Sequence, residues 1–191
     1  MKSNARITVA FLMPTLLAGC LVTSPTECSD WNVECTDAAM HLATKPRFGV
    51  ARLVLVEMRA PYSAREIAVL RADGSIAFDP CNAYAAPPVQ LLKGAAMESL
   101  ERSGLFSAVV GAASSADADV EVEVAVSRLA LDCREDGSRR AVAALSVRLV
   151  RSHGIVAYVT GTGSADASGR DFSAALSSAV TAAFSEALKR L

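Results

Sequence analysis

Val120, Val122, Val124 and Val126 alternate with Glu121, Glu123, Ala125 and Ser127. A two-residue period this clean fits a β-strand with one face buried and one face wet. The chain must therefore build a sheet with apolar material laid against one side. The phase then slips, because Leu129, Leu131 and Cys133 are apolar at odd positions. A β-bulge near Ser127-Arg128 accounts for the slip. Glu135-Asp136-Gly137-Ser138 turns the chain. Residues 140–151 return with Leu145, Val147 and Leu149 on one face, and His153-Gly154 turns again into a last strand over 155–162, followed by a polar loop over 163–170.

The segments upstream and downstream give this sheet its cover. A first strand is expected over 49–59, with Val54, Val56 and Met58 on one face and Leu53 and Leu55 on the other. Apolar residues on both faces suggest a central strand covered on at least one side by helix. Pro61 ends it. Residues 66–71 and 75–78 flank Ala72-Asp73-Gly74, a hairpin signal. Residues 79–86 read as a loop. Pro87 and Pro88 then open a helix over 89–103, with Val89, Leu92, Ala96 and Leu100 as its apolar stripe. Gly104 stops it, a short strand covers 105–110, and 111–117 is a loop of small residues. At the end of the chain Asp171 is a plausible N-cap. Phe172, Leu176, Val180, Phe184 and Leu188 then form an i, i+4 row, with Ala175, Ala179, Ala183 and Ala187 beside it. Lys189 and Arg190 suit the negative end of that helix's dipole. The fold class is α+β: a single domain in which a mostly antiparallel β-sheet packs on two main α-helices.

The N-terminus reads as an address. Lys2 and Arg6 precede an apolar run over 7–17, and Ala18-Gly19 are the small residues a signal peptidase needs. The run is too short for a membrane-spanning helix. Cys20 directly after Leu17-Ala18-Gly19 makes the segment resemble a bacterial lipobox, which implies acylation of Cys20 and cleavage before it. Several acyl chains are in effect a permanent anchor. Leu21 stands where an aspartate would signal inner-membrane retention, which favours the outer membrane. The expected division is a signal over 1–19, an acylated anchor and tether over 20–47, and a folded domain over 48–191. Residues 1–19 hold Lys2 and Arg6 and no acids, so of 19 basic and 20 acidic side chains the processed chain keeps 17 and 20, a net charge of −3. That balance argues against nucleic acid as a partner.

Four further cysteines, Cys28, Cys35, Cys81 and Cys133, suggest two disulfides in the oxidising periplasm. Three pairings are possible. Proximity favours Cys28–Cys35 as a local clip, with Trp31 packing inside it, and Cys81–Cys133 as a long-range staple. Zinc is disfavoured, since no C-x-x-C occurs and His41 and His153 are the two histidines. No cofactor is implied. Nor does a catalytic arrangement emerge. His153 falls in a turn and His41 in the tether, and no G-x-S-x-G is present. Gly161-Thr162-Gly163 is too short for a phosphate loop. Glu121 and Glu123 read as a wet strand face, and Arg139-Arg140 as a surface turn.

Arg65-Glu66-Ile67, Leu70-Arg71, Gly74, Ile76-Ala77-Phe78-Asp79 and Tyr84-Ala85-Ala86-Pro87-Pro88 with Leu91-Leu92 resemble the ABC-type transport auxiliary lipoproteins, the PqiC-like family. Gly104-Leu105-Phe106, Ala118-Asp119-Val120, a meander and a terminal amphipathic helix follow in the family's order. The resemblance covers 48–191. Tyr84 stands where the family usually has tryptophan, and the family's aromatic edge strand is not evident, since Cys28 to Cys35 occupies its place. The resemblance implies a non-enzymatic lipoprotein of the cell envelope that docks ABC and MCE-type components moving lipid or other apolar substrates between membranes. It also implies a contact surface from Ile67 to Pro88, with Tyr84 as its anchor and Pro87 beside it. The alternative is a carrier that holds a small apolar ligand or cell-wall fragment itself, in a pocket between helix and sheet. Neither reading names an oligomeric state.

Overall fold

The computed structural model describes residues 28–36, 40–134, 138–169 and 172–191. The export signal, Cys20, the expected turn at 135–137 and the Asp171 cap lie outside the described residues. The elements run β1 (Asp30–Trp31), β2 (Phe48–Met58), β3 (Glu66–Arg71), β4 (Ile76–Tyr84), α1 (Pro88–Arg102), β5 (Phe106–Gly111), β6 (Val120–Cys133), β7 (Arg140–Arg151), β8 (Gly154–Asp166) and α2 (Phe172–Leu188).

The valine alternation becomes β6, the spine of the sheet. β7 pairs with it antiparallel along its whole length, and β8 pairs antiparallel with β7. On its other side β6 has two neighbours in succession. β2 runs parallel to Val120–Val126, and β3 runs parallel to Leu131–Cys133. β5 lies parallel outside β2, β4 antiparallel outside β3, and β1 parallel outside β4. The sheet is therefore mixed, with its longest ladders antiparallel, and the fold is α+β in one domain. α1 lies over β2 and β5, and α2 over β7 and β8. Both helices feed one continuous core, and the opposite sheet face is left open.

Two bulges set which residues reach that core. In β6 the register shifts between Val126 and Arg128, as the phase slip required, so Leu129 and Leu131 join Val120, Val122, Val124 and Val126 inside. A second shift, between Leu53 and Leu55, turns β2 over. Ala51 and Leu53 face the core before it, Val56 and Met58 after it, and Leu55 is left exposed. Apolar residues on both faces of β2 thus mark a change of phase rather than burial on both sides.

Four expectations are corrected. First, the segment expected as tether is largely part of the fold. Trp31, Val33, Cys35 and Met40 sit in the core, and Trp31 lies 4.8 Å from the Phe172 ring. Residues 30–31 supply the aromatic edge strand that the sequence hid between two cysteines. Second, the disulfide joins Cys28 to Cys81, with Cα atoms 4.6 Å apart. Cys35 and Cys133 are free thiols, Cys35 buried, so neither the local clip nor the long staple forms. Cys35 cannot reach back to Cys28, because its side chain points between α1 and α2, where the hydroxyl of Ser99 donates to its sulfur at 3.5 Å. Third, β4 continues through the expected loop to Tyr84. The DPCN run still behaves locally as a turn. The Asp79 carboxylate accepts from the N–H groups of Cys81 and Asn82, each at 2.9 Å, and the strand resumes pairing at Ala83. Burial pushes the Asp79 pKa up, but these amides, the Asn82 side chain and Arg139 together hold it below the usual carboxylate range.

Fourth, β8 runs on to Asp166. Gly161 and Gly163 are the reason. A Cβ on Gly161 would lie 2.7 Å from the Ala187 nitrogen, and one on Gly163 2.7 Å from the Ala183 nitrogen. The alanine row of α2 and these glycines let helix backbone rest directly on strand backbone. The Glu186 carboxylate then accepts from the Thr162 N–H at 2.6 Å, and Arg190 donates to the Thr160 carbonyl at 3.1 Å. Groups that an edge strand would leave unpaired are thereby satisfied from the helix.

Candidate docking surface

Cys20, the expected acylation site, lies outside the described residues. Of the four expected contact residues the structure brings none together as a surface. Ile67 and Pro88 are buried and Pro87 is exposed. Tyr84 is 1 % exposed. Its backbone fixes it there, because its N–H donates to the Arg65 carbonyl at 2.7 Å and its carbonyl accepts from Arg65 Nε at 3.1 Å. Burial pushes the hydroxyl's pKa well above its ordinary value, and that oxygen has no hydrogen-bond partner. Tyr84 is a core residue rather than a surface anchor, and Ile67 and Pro88 are buried with it; within the span from Ile67 to Pro88 the exposed large apolar side chains are Ile76 and Phe78.

Several of the polar residues considered for chemistry make structural contacts. Glu123 pairs with Arg148 at 3.6 Å, and the Arg148 guanidinium sits 5.7 Å from the Tyr158 ring centre. Arg139 lies over the Phe172 ring, Arg140 donates to Ser164, and His153 occupies the β7–β8 turn at a φ of 67°. Among the described residues no group of three or more His, Cys, Asp or Glu could hold a metal. Gly161-Thr162-Gly163 is a helix seat.

One arrangement was missed from the sequence. Residues 32–36 lie extended across α1 and α2, with Val33 and Cys35 turned inward. Ser173, Ser177 and Thr181, one helical turn apart on α2, bond this strap in sequence. The Ser173 hydroxyl donates to the Asn32 carbonyl at 2.7 Å, the Glu34 N–H donates to the Ser177 hydroxyl at 3.1 Å, and the Thr36 N–H donates to Thr181 Oγ1 at 2.9 Å. The signal was present as a hydroxyl row parallel to the apolar row of that helix.

What remains for contact is the open sheet face. Apart from Leu55 on β2 (42 % exposed), its exposed large apolar side chains among the described residues form two groups. Ile76 (41 % exposed) and Phe78 (46 %) stand on β4, opposite Leu70 and Ala68 of β3. They border a small buried cluster of Ala68, Leu70 and Ala130, backed by Tyr62 and Val142. The second group, Ile155 (64 %), Val156 (52 %) and Tyr158 (57 %), occupies the β7–β8 hairpin. Beside this second group lies a depression of about 320 Å³, lined among others by Arg59, Ser127, Ser146, Arg148, Tyr158 and Thr160. Among the described residues no helix is long and apolar enough to cross a membrane.

No family model matches the chain, and no curated protein gives a significant match. Solved structures do resemble it. Protein XCC0632 from Xanthomonas campestris, a DUF330 protein, is 23% identical, covers 86% of this chain and 88% of its own, and superposes with a TM-score of 0.57. A variant PelC dodecamer from Paraburkholderia phytofirmans is 17% identical over 78% of this chain and 90% of its own, with a TM-score of 0.45. Lipoprotein GNA1162 from Neisseria meningitidis is 10% identical over 65% of this chain and 87% of its own, with a TM-score of 0.30. The likeness to XCC0632 shows that this chain has the fold of a DUF330 protein.

Proposed function

We propose that the chain is a PqiC-like auxiliary lipoprotein of the cell envelope, anchored through lipid on Cys20 and favouring the outer membrane. It serves an ABC and MCE-type system that moves lipid or another apolar substrate between membranes, and it acts by docking rather than by catalysis. The observation that carries this reading is the DUF330 fold, matched along 86% of the chain, behind a Leu-Ala-Gly-Cys segment. The open sheet face supports docking. Where α2 crosses β8 the carrier alternative finds no pocket, because Gly161 and Gly163 bring helix backbone onto strand backbone there.

The test is a pull-down of the native acylated protein in gentle detergent, with mass spectrometry of protein and lipid in the eluate. The expected result is an MCE-type protein or ABC subunit in near-stoichiometric amount. Lipid without those partners, above what a Cys20→Ser control carries, overturns docking in favour of the carrier.

A further inference from the structure

The disulfide places the membrane anchor beside one particular end of the sheet. β1 runs parallel to β4 with Asp30 beside Ala83, and Cys28–Cys81 continues that register at the same sequence separation of 53. Cys28 lies eight residue steps after Cys20. Fully extended, eight steps span about 28 Å, so an acylated Cys20 holds the Cys28–Cys81 clasp within about that distance of the bilayer. On the same strand as Cys81, Phe78 and Ile76 are three and five positions back toward the β3–β4 turn, within about 10 to 18 Å along the chain.

Those two residues have the chemistry of a membrane contact. They are large, apolar and exposed, and they border the apolar cluster of Ala68, Leu70 and Ala130. Away from Ala83 and Tyr84, β1 does not pair with β4, so β4 is an edge at Ile76 and Phe78. The hairpin sets Arg71 against Glu66, Asp73 and Asp79, an acidic balance that gives no attraction to an anionic surface. We propose that the β3–β4 hairpin rests on the bilayer that holds the Cys20 lipid, with Ile76 and Phe78 seated among the lipid headgroups and upper acyl chains. The occupant is a zwitterionic lipid surface, held by apolar contact. This inference rests on the anchored reading above. It orients the molecule, because Ile155 pairs across β7 to Glu121 of β6 whereas Ile76 pairs across β3 to Asp132. That difference along β6 is on the order of 30 Å, so with the hairpin end of the sheet set down on the bilayer the second apolar group is held about that far from it, at the other end of the same face.

Depth-dependent quenching tests it. The acylated protein carrying Phe78→Trp, and separately the protein carrying Val156→Trp, is reconstituted into phosphatidylcholine vesicles brominated on the acyl chains. The native Trp31 is buried and serves as the common background. The expected result is that the Phe78→Trp protein loses most of its added emission and the Val156→Trp protein loses none. Equal, weak quenching of both in vesicle-bound protein overturns the hairpin contact and leaves the anchor standing. Protein without acyl mass that floats free of vesicles removes the anchor, and the hairpin contact with it. Stronger quenching of Val156→Trp reverses the proposed orientation.

Discussion

Tyr84 brings a hydroxyl into the core with nothing to bond. Leaving such a group unpaired costs about 1–3 kcal/mol, so Tyr84→Phe is expected to match or exceed the native protein by about 1 kcal/mol in urea unfolding. Tyr84→Ala removes the ring as well and should cost about 3–5 kcal/mol. A surface anchor would give the opposite order of concern, with assembly lost and stability kept. The hydroxyl also has a pH signature. Its folded pKa is raised above an ordinary value of 10.0. Stability is therefore full below pH 10 and falls above it, as the unfolded chain ionises first, and the Tyr84→Phe variant should resist that loss. The cysteines are tested by thiol counting. Iodoacetamide should modify Cys133 in the native protein and Cys35 only after unfolding, and Cys28→Ser should expose Cys81. In the chain-entropy picture a clasp closing 53 residues contributes about 4 kcal/mol. None of this pairing was legible from spacing. Cys28 and Cys35 are close in sequence, but an extended strap carries Cys35 away to the helices while the parallel register of β1 on β4 brings Cys28 to Cys81.

At the scale of elements, legibility followed periodicity. The β6 bulge could be read because four valines fixed a phase before Ser127 broke it. The β2 bulge could not, because Leu53 through Val56 are all apolar and any phase fits them. The last strand is expected to stop at Thr162 because Gly163 and Ser164 look like loop residues, yet in a strand under a helix, glycine marks close backbone approach. Gly161→Ala is expected to force α2 off the sheet and cost at least about 1–3 kcal/mol, read as a lower urea midpoint. Gly154→Ala, where the nearest atom is 3.6 Å away, should be nearly silent. The hydroxyl row Ser173, Ser177, Thr181 was present in the sequence from the start, and only the strap reveals what it bonds.

At the scale of the whole molecule, the two exposed apolar groups should separate by function. The fold buries one sheet face under both helices and leaves the other face with apolar side chains near each end. On the proposed reading, Cys28–Cys81 ties the Cys20 anchor to the end that holds Ile76 and Phe78. A docking lipoprotein needs two contacts that do not compete, one with the bilayer and one with the conduit. Replacing Ile155 and Tyr158 with serine is therefore expected to abolish partner recovery in the pull-down while quenching of the Phe78→Trp reporter is unchanged. Replacing Ile76 and Phe78 with serine should leave partner binding in detergent intact but release the hairpin from vesicles, read as faster proteolysis at the β3–β4 turn of vesicle-bound protein. Each pair is only about half exposed and loses cross-strand contacts, so each double replacement should lower stability by no more than about 2 kcal/mol, leaving the fold intact in urea unfolding. If either pair disturbed both readouts equally, the open face would be one surface with one occupant. The division of labour between its two ends would then be wrong.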